Sequence, residues 1–206
     1  REAQLLTAAY KANPKVVTQM GNQGHAGAGW RTVYDYVKAG AIGDITEFHT
    51  WTNRPVWPQG GKRPEGSDPI PPEVDWESWI GPAPMRPYKE KAYHRFNWRG
   101  VTDFGSGALG DMACHTVNMP YMGCDLFDPT AVQAVTSGHN KDSYPSKSTI
   151  TFEFPANDWR PALKMVWYDG GRLPSRDLLG GRKPTNSGSL IIGDKASMYA
   201  KGDYAE

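Results

Sequence analysis

Asp111 and His115 lie four residues apart within GSGALGDMACHTVNMPYMG, residues 105–123. Side chains with this spacing project from one face of a helix, one turn apart. A carboxylate beside an imidazole can position a proton and exchange it near neutral pH. The small residues at 105–108 let backbone or a ligand approach the start of this helix closely. The spacing therefore predicts an acid–base pair on one helix face.

Two other interpretations of the same pair stay open at this point. An aspartate and a histidine at this spacing often make only a local polar contact. Both residue types also ligate zinc or iron. No HxH or HExxH spacing occurs among the other histidines, which are His25, His49, His94 and His139. The two cysteines, Cys114 and Cys124, form no CxxC pair. We therefore favour acid–base chemistry and predict no metal.

The bulk composition is that of a globular protein with one large or two small domains. Of 206 residues, 38% are hydrophobic and 22% are charged, and the formal net charge is +1. This balance gives no electrostatic case for nucleic acid or for an anionic membrane surface. No apolar run approaches the ~20 residues of a spanning helix. We expect neither nucleic acid nor a membrane as a partner.

Aromatic content is high, at 12% with eight tryptophans. Aromatic faces stack on the C–H faces of sugars, although core packing is the commoner role of any single tryptophan. Residues 54–100 form a proline-rich excursion, here called the flap, which contains four of the tryptophans. Long excursions of this kind are usually functional or disordered, and the tryptophans argue against disorder. We predict an ordered flap over a site.

Periodicity and turn residues predict the elements around the flap. Helices are expected over 2–12 and 28–39 and around 111–115. Strands are expected over 15–20, 45–53, 130–137, 148–154, 162–168, 189–192 and 197–200. Successive strands without helices between them indicate a largely antiparallel sheet.

Six segments carry a family resemblance in their order along the chain. They are MGNQGH (20–25), AGAIGDI (39–45), WTNRPVWPQG (51–60), DWESWIGPAP (75–84), YHRFNWRG (93–100) and DFGSGALGDMACH (103–115). This sequence resembles the sugar-acting bacterial branch of the Gfo/Idh/MocA oxidoreductases. The resemblance implies an α/β fold of the α+β type, with a large open, mainly antiparallel sheet and helices on one face. It implies that 1–24 end a Rossmann domain, and that 25–206 form a substrate-binding and oligomerisation domain.

The resemblance also implies roles for the pair on the helix. His115 matches the family's base, which takes a proton from a sugar hydroxyl. Asp111 matches the residue that binds the reacting or neighbouring hydroxyl. A carboxylate neighbour favours the imidazolium that proton transfer creates, which agrees with these roles.

Further site residues follow from the matching segments. Trp98 and Arg99 resemble an element beside the nicotinamide and substrate, and Asn22 and Gln23 resemble a loop beside the cofactor, NAD or NADP. Expected sugar ligands are Tyr93, His94, Asn97, His25 and Trp57, with Asp169 a weaker candidate. We also expect a homo-oligomer that associates through the sheet face.

Two expected features of the family do not occur in this sequence. It has no GxGxxG fingerprint to cradle a dinucleotide, and no Glu-Lys-Pro segment. We therefore expect a piece of a longer enzyme, inactive by itself, whose export signal, if any, lies upstream; the compartment is cytoplasmic or periplasmic. The expected activity is hydride transfer to or from a sugar ring carbon. The alternatives are an NAD-dependent glycosidase and a non-catalytic carbohydrate-binding or assembly module.

Overall fold

The computed structural model describes residues 2–19, 21 and 24–204, and these contain one mixed six-stranded sheet. Within them the strands are β1 (Ile45–Trp51), β2 (Ala131–Thr136), β3 (Ser148–Phe154), β4 (Leu163–Tyr168), β5 (Gly188–Gly193) and β6 (Ser197–Lys201). Their order is β2-β3-β4-β1-β5-β6. β1 and β4 are parallel, and the other neighbouring pairs are antiparallel. The predicted open, mainly antiparallel sheet is confirmed.

Three helices cover one face of this sheet. These three are α2 (Ala28–Lys38), α4 (Gly107–Thr116) and α5 (Asn118–Cys124). The described residues also form α1 (Glu2–Ala12), α3 (Trp76–Ile80) and 3-10 helices at Asn97–Gly100 and Arg176–Leu179. Trp30 of α2, Met112 of α4 and Met119 of α5 share a buried core with Phe48 and Trp167 of the sheet. The predicted placement of helices on one face is therefore confirmed. Among the described helices, none combines the length and apolar character that a membrane crossing requires.

The strand predicted over 15–20 is wrong. Residues 15–19 form no strand and are exposed, with Val17 at 95% exposure, while Met20 lies outside the described residues. A β-branched run favours a strand only where a neighbouring strand pairs with its backbone and buries its side chains. All strands of the described sheet begin at Ile45 or later, and none pairs with this run.

The flap has a small buried core of its own. Trp76, Ile80, Tyr88 and Tyr93 form it, and the rings of Trp76 and Trp79 stack with centroids 4.8 Å apart. The indole N–H of Trp76 donates to the Arg86 carbonyl over 2.8 Å. Burial of aromatic rings together with paired indole nitrogens explains how a segment with few hydrogen-bonded elements packs as a unit.

Gly105 lets the flap pack closely on the start of α4, and Gly100 lets two segments within the flap meet. A Cβ on Gly100 would overlap the Pro58 carbonyl, and one on Gly105 would overlap the Arg99 backbone. The Gly105 carbonyl also accepts a hydrogen bond from the Tyr144 hydroxyl over 3.1 Å. The backbone of residue 99 therefore lies against the turn that begins α4.

Gly105→Ala is expected to lower the free energy of unfolding by about 1–3 kcal/mol, since the added methyl group overpacks this contact. Gly21→Ala is the matched control, because a Cβ at Gly21 meets nothing within 4 Å. Urea denaturation of both variants measures the difference. Equal stability of the two variants would contradict the close packing of the flap on α4.

Asp169 is a buried carboxylic acid at the end of β4. Asp169 is only 1% exposed, and its Oδ2 accepts a hydrogen bond from the Trp167 indole N–H over 2.8 Å. Oδ1 has no hydrogen-bond partner among the described residues. Burial raises the pKa of Asp169, which means that folding disfavours its ionised form.

The raised pKa of Asp169 predicts a pH-dependent stability difference between the native chain and Asp169→Asn. At pH values below the ordinary pKa of an aspartic acid, the carboxyl is protonated in both the folded and unfolded states. As the pH rises above that pKa, the unfolded state ionises first, and the native chain loses stability. Asparagine carries no such penalty. As the pH rises from about 4 to about 7, urea denaturation should show the free energy of unfolding of Asp169→Asn increasing relative to that of the native chain. A difference that does not change with pH would contradict the raised pKa.

Candidate active site

The helix predicted around Asp111 and His115 is α4, which places the two side chains one turn apart. Both residues are partly exposed, with 27% of the Asp111 side chain open to solvent. Gly107 begins the helix at a φ of +67°, with the Tyr144 ring against its α-carbon. Only glycine adopts this backbone conformation at low cost, which explains part of the glycine-rich start of the segment.

Arg99 of the flap forms an ion pair with Asp111. The guanidinium Nε donates to Asp111 Oδ1 over 3.0 Å, and Nη1 donates to the Phe96 carbonyl over 3.1 Å. The contact with Arg99 engages Oδ1 of the Asp111 carboxylate and not Oδ2. The arrangement thus fixes the carboxylate at one oxygen and leaves the other able to accept a hydrogen bond.

Aromatic rings surround the Arg99 guanidinium. Its central carbon lies 4.4 Å from the ring centroid of Phe96, 4.7 Å from that of Trp98 and 5.9 Å from that of Trp57. Cation–π contacts of this kind contribute about 0.5–1 kcal/mol each at exposed sites. The rings therefore restrain the guanidinium that restrains Asp111.

The Trp57 ring lies beside this guanidinium, and the residue is only 4% exposed. Its indole N–H donates to Gln59 Oε1 over 2.9 Å. This position makes Trp57 a support for Arg99. Its predicted contact with a sugar stays a prediction.

His115 takes a different partner from Asp111. Its Nδ1 lies 3.3 Å from the hydroxyl of Tyr204, and the two rings meet edge to face at 5.7 Å. A neutral imidazole has one N–H donor and one acceptor nitrogen. In the tautomer that carries its proton on Nδ1, Nδ1 donates to the Tyr204 oxygen and Nε2 is the nitrogen that can accept a proton; in the other tautomer the Tyr204 hydroxyl donates to Nδ1.

His25 lies beside the same turn of α4. Its Nε2 is 2.8 Å from the Cys114 carbonyl, and its ring stacks on Trp30 with centroids 5.2 Å apart. His25 therefore contacts the residue that precedes His115 in α4, and its role as a sugar ligand stays a prediction. The Trp30 stack holds it on that side of the helix.

The thiol of Cys114 is not a candidate nucleophile. Its Sγ donates to the Asp111 carbonyl over 3.3 Å. Desolvation and the nearby Asp111 carboxylate raise the pKa of this thiol. A nucleophilic cysteine requires the thiolate, which this environment disfavours.

The remaining predicted residues lie elsewhere. Tyr93 is 2% exposed within the flap core, and Asn97 donates from its side chain to the Lys91 carbonyl over 2.5 Å. His94 borders a separate cleft of about 490 Å³ with Asp68 and Glu73. Their roles as sugar ligands stay predictions. Asn22 and Gln23 lie outside the described residues.

Sequence reasoning did not identify Tyr204 or Phe96 as site residues. Tyr204 is 89 positions from His115, and no local pattern in the sequence signals that contact. Phe96 could have been found from its place beside Trp98 and Arg99. In the described ranges, no three His, Cys, Asp or Glu side chains are grouped so that they could hold a metal ion.

Comparisons with known proteins found one family model and solved structures that match this chain. The model of the oxidoreductase family C-terminal alpha/beta domain, GFO_IDH_MocA_C2, matches residues 28–158. Among solved structures, an oxidoreductase from Thermotoga maritima matches with a TM-score of 0.47 and 12% identity. The match covers 94% of this chain and 46% of that chain, so this chain spans about half of that protein. A search of curated proteins found no match.

The family model covers the flap, α4 with its Asp111–His115 pair, and strands β1, β2 and β3. It spans well over half of the chain. The chain therefore belongs to the Gfo/Idh/MocA oxidoreductase family, of which it carries the C-terminal α/β domain.

Proposed function

We propose that this domain forms the substrate side of an NAD(P)-dependent oxidoreductase that acts on a ring carbon of a sugar or sugar derivative. The observation that carries the proposal is the outer face of α4, where Arg99 fixes one oxygen of Asp111 and Tyr204 pairs with His115. The family membership supports an oxidoreductase. The substrate class and the cofactor are our inference from the side chains and the family resemblance.

The described residues do not form a cradle for dinucleotide phosphates. α1 buries no side chain and has Glu2 in its first turn, where a negative charge opposes phosphate binding. The sequence also has no GxGxxG turn. Trp98 and Arg99 remain candidates to border the reacting end of a nicotinamide. A bound nicotinamide ring supplies the acceptor or the donor of the hydride. The phosphates of the dinucleotide require residues other than those that the structure describes.

Two hydrogen-bonding groups on α4 suit a polyol. Residues four apart on a helix have Cβ atoms about 5–6 Å apart, so one ring with adjacent hydroxyls reaches both. Asp111 Oδ2 accepts a hydrogen bond from one hydroxyl, and His115 Nε2 accepts the proton of the hydroxyl on the reacting carbon. Arg99 orients Asp111, and Tyr204 orients His115. The protein thereby prepares the alcohol for loss of its proton.

His115→Ala is expected to lower kcat by roughly 10²–10⁴, which is the usual contribution of a positioned base. The assay follows nicotinamide absorbance with candidate sugars, in an enzyme that contains this domain together with a dinucleotide-binding domain. His139→Ala is the control, because His139 is an exposed histidine in the β2–β3 connection. A near-normal rate in His115→Ala, or sugar conversion with no net nicotinamide reduction, would overturn the proposal.

We also propose that the sheet face opposite the helices mediates association of identical chains. At one end of that face, Leu179 covers Trp51 and Leu190. At the other end, all six residues of β2 are exposed, and Val135 is 56% exposed. Apolar side chains exposed on the open face of a sheet are commonly covered by another chain.

Light scattering of the chain should give a mass of at least twice 22.8 kDa. Val135→Lys should lower that mass, since an outer-face charge opposes close pairing of two sheets. Leu5→Lys is the matched control, because Leu5 is 61% exposed on α1. A mass of one chain for the native sequence would contradict this surface as the site of association.

A further inference from the structure

We infer that the base of the flap contains a binding site for a free, compact oxyanion such as phosphate. The site is a cavity of about 70 Å³ between the flap and the loop that joins β2 to β3. Pro58, Lys62 and Arg63 line it from one flap segment, Arg86 and Tyr93 from another, and Asp142 from the loop. This inference does not rest on the proposed oxidoreductase function.

Arg86 provides the first argument, because its guanidinium is buried and incompletely paired. The residue is 5% exposed, and its Nη2 pairs with Asp103 while its Nε donates weakly to the Pro84 carbonyl at 3.5 Å. Nη1 is buried and has no hydrogen-bond partner among the described residues. A buried donor on a charged group is costly to leave unpaired.

The aromatic rings beside Arg86 do not provide a hydrogen-bond partner for Nη1. The guanidinium carbon lies 4.7 Å from the ring centroid of Phe104 and 5.6 Å from that of Tyr93, and neither ring accepts as a carboxylate does. With Nε and Nη2 already engaged, Nη1 is the guanidinium nitrogen without a partner among the described residues, and a small rotation of the side chain would bring it to a ligand in the cavity that Arg86 lines.

The charges around the cavity favour an anion over water alone. Its walls contain three cations, Lys62, Arg63 and Arg86, and one carboxylate, Asp142. Arg63 already pairs with Asp142 at 3.4 Å and with Asp103 at 3.7 Å. Counting Asp103 as well, one positive charge remains uncompensated. A single anion neutralises it and accepts the Arg86 donor, as guanidinium groups commonly do with oxyanions.

The size of the cavity limits the ligand. One water needs about 10–15 Å³ of such space, so 70 Å³ holds several waters or one compact ion in their place. A whole sugar phosphate is too large for 70 Å³, so the occupant that matches this volume is a free oxyanion.

Binding at this site would stabilise the flap that carries Arg99. Pro58 and Lys62 follow Trp57 closely in the chain, and Trp57 lies beside the Arg99 guanidinium. An ion held by Arg86 and Lys62 links two flap segments to each other. Ligands that bind only the folded state raise stability by mass action.

Isothermal titration of the native chain with inorganic phosphate tests the inference. We expect saturable binding with one site per chain, and a rise in the thermal unfolding midpoint that exceeds the effect of chloride at equal ionic strength. Lys62→Gln combined with Arg63→Gln should raise the dissociation constant at least roughly tenfold, since both lost cations line the cavity. Lys11→Gln, on exposed α1, should leave it unchanged.

Arg86→Lys is a second variant, which keeps the charge and loses the planar donor set; it should also weaken phosphate binding. The Lys62 and Arg63 substitutions keep the test valid if this buried variant does not fold, because both of those residues are exposed. Absence of saturable binding, or affinity unchanged by the double substitution, would overturn the inference. Equal binding of glucose 6-phosphate would overturn the assignment to a free ion, because the cavity would then accept the phosphate group of a larger molecule equally well.

Discussion

The ion pair between Arg99 and Asp111 connects the two parts of the molecule that the candidate site needs. Asp111 belongs to a helix packed on the sheet, and Arg99 belongs to the flap, which has a separate core. Glycine at 105 allows the two backbones to approach, and aromatic rings hold the guanidinium in place. The orientation of the carboxylate therefore depends on how the flap packs, although the flap supplies no strand to the sheet.

Much of the fold could be predicted from the sequence because its elements have clear periodicity and clear boundaries. The predicted helix over 2–12 and strand over 148–154 match the structure residue for residue, and the helix around Asp111 and His115 is confirmed. The run at 15–20 was misassigned, because local composition does not reveal whether a partner strand exists. The parallel pairing of β1 with β4 is likewise a long-range feature, set by the path of the chain between them.

The candidate site was predictable where its chemistry is local, and less so where it depends on distant contacts. Asp111, His115 and Arg99 stand in short motifs, and their residue types indicate acid–base and charge-pairing roles. Tyr204 reaches His115 across 89 positions, and Tyr93 packs in the flap core although its residue type suits a sugar ligand. Burial and tertiary contact decide between packing and binding for an aromatic residue, and neither is visible in a short motif.

A double-mutant cycle on Arg99→Gln and Asp111→Asn tests the central claim that this ion pair joins the flap to α4. Urea denaturation of the native chain, both single variants and the double variant gives the coupling free energy. Both side chains are about a quarter exposed, and we predict a coupling of at least about 0.5 kcal/mol, within the range of measured ion pairs at partly exposed sites. Additive effects, with a coupling below about 0.3 kcal/mol, would contradict the account.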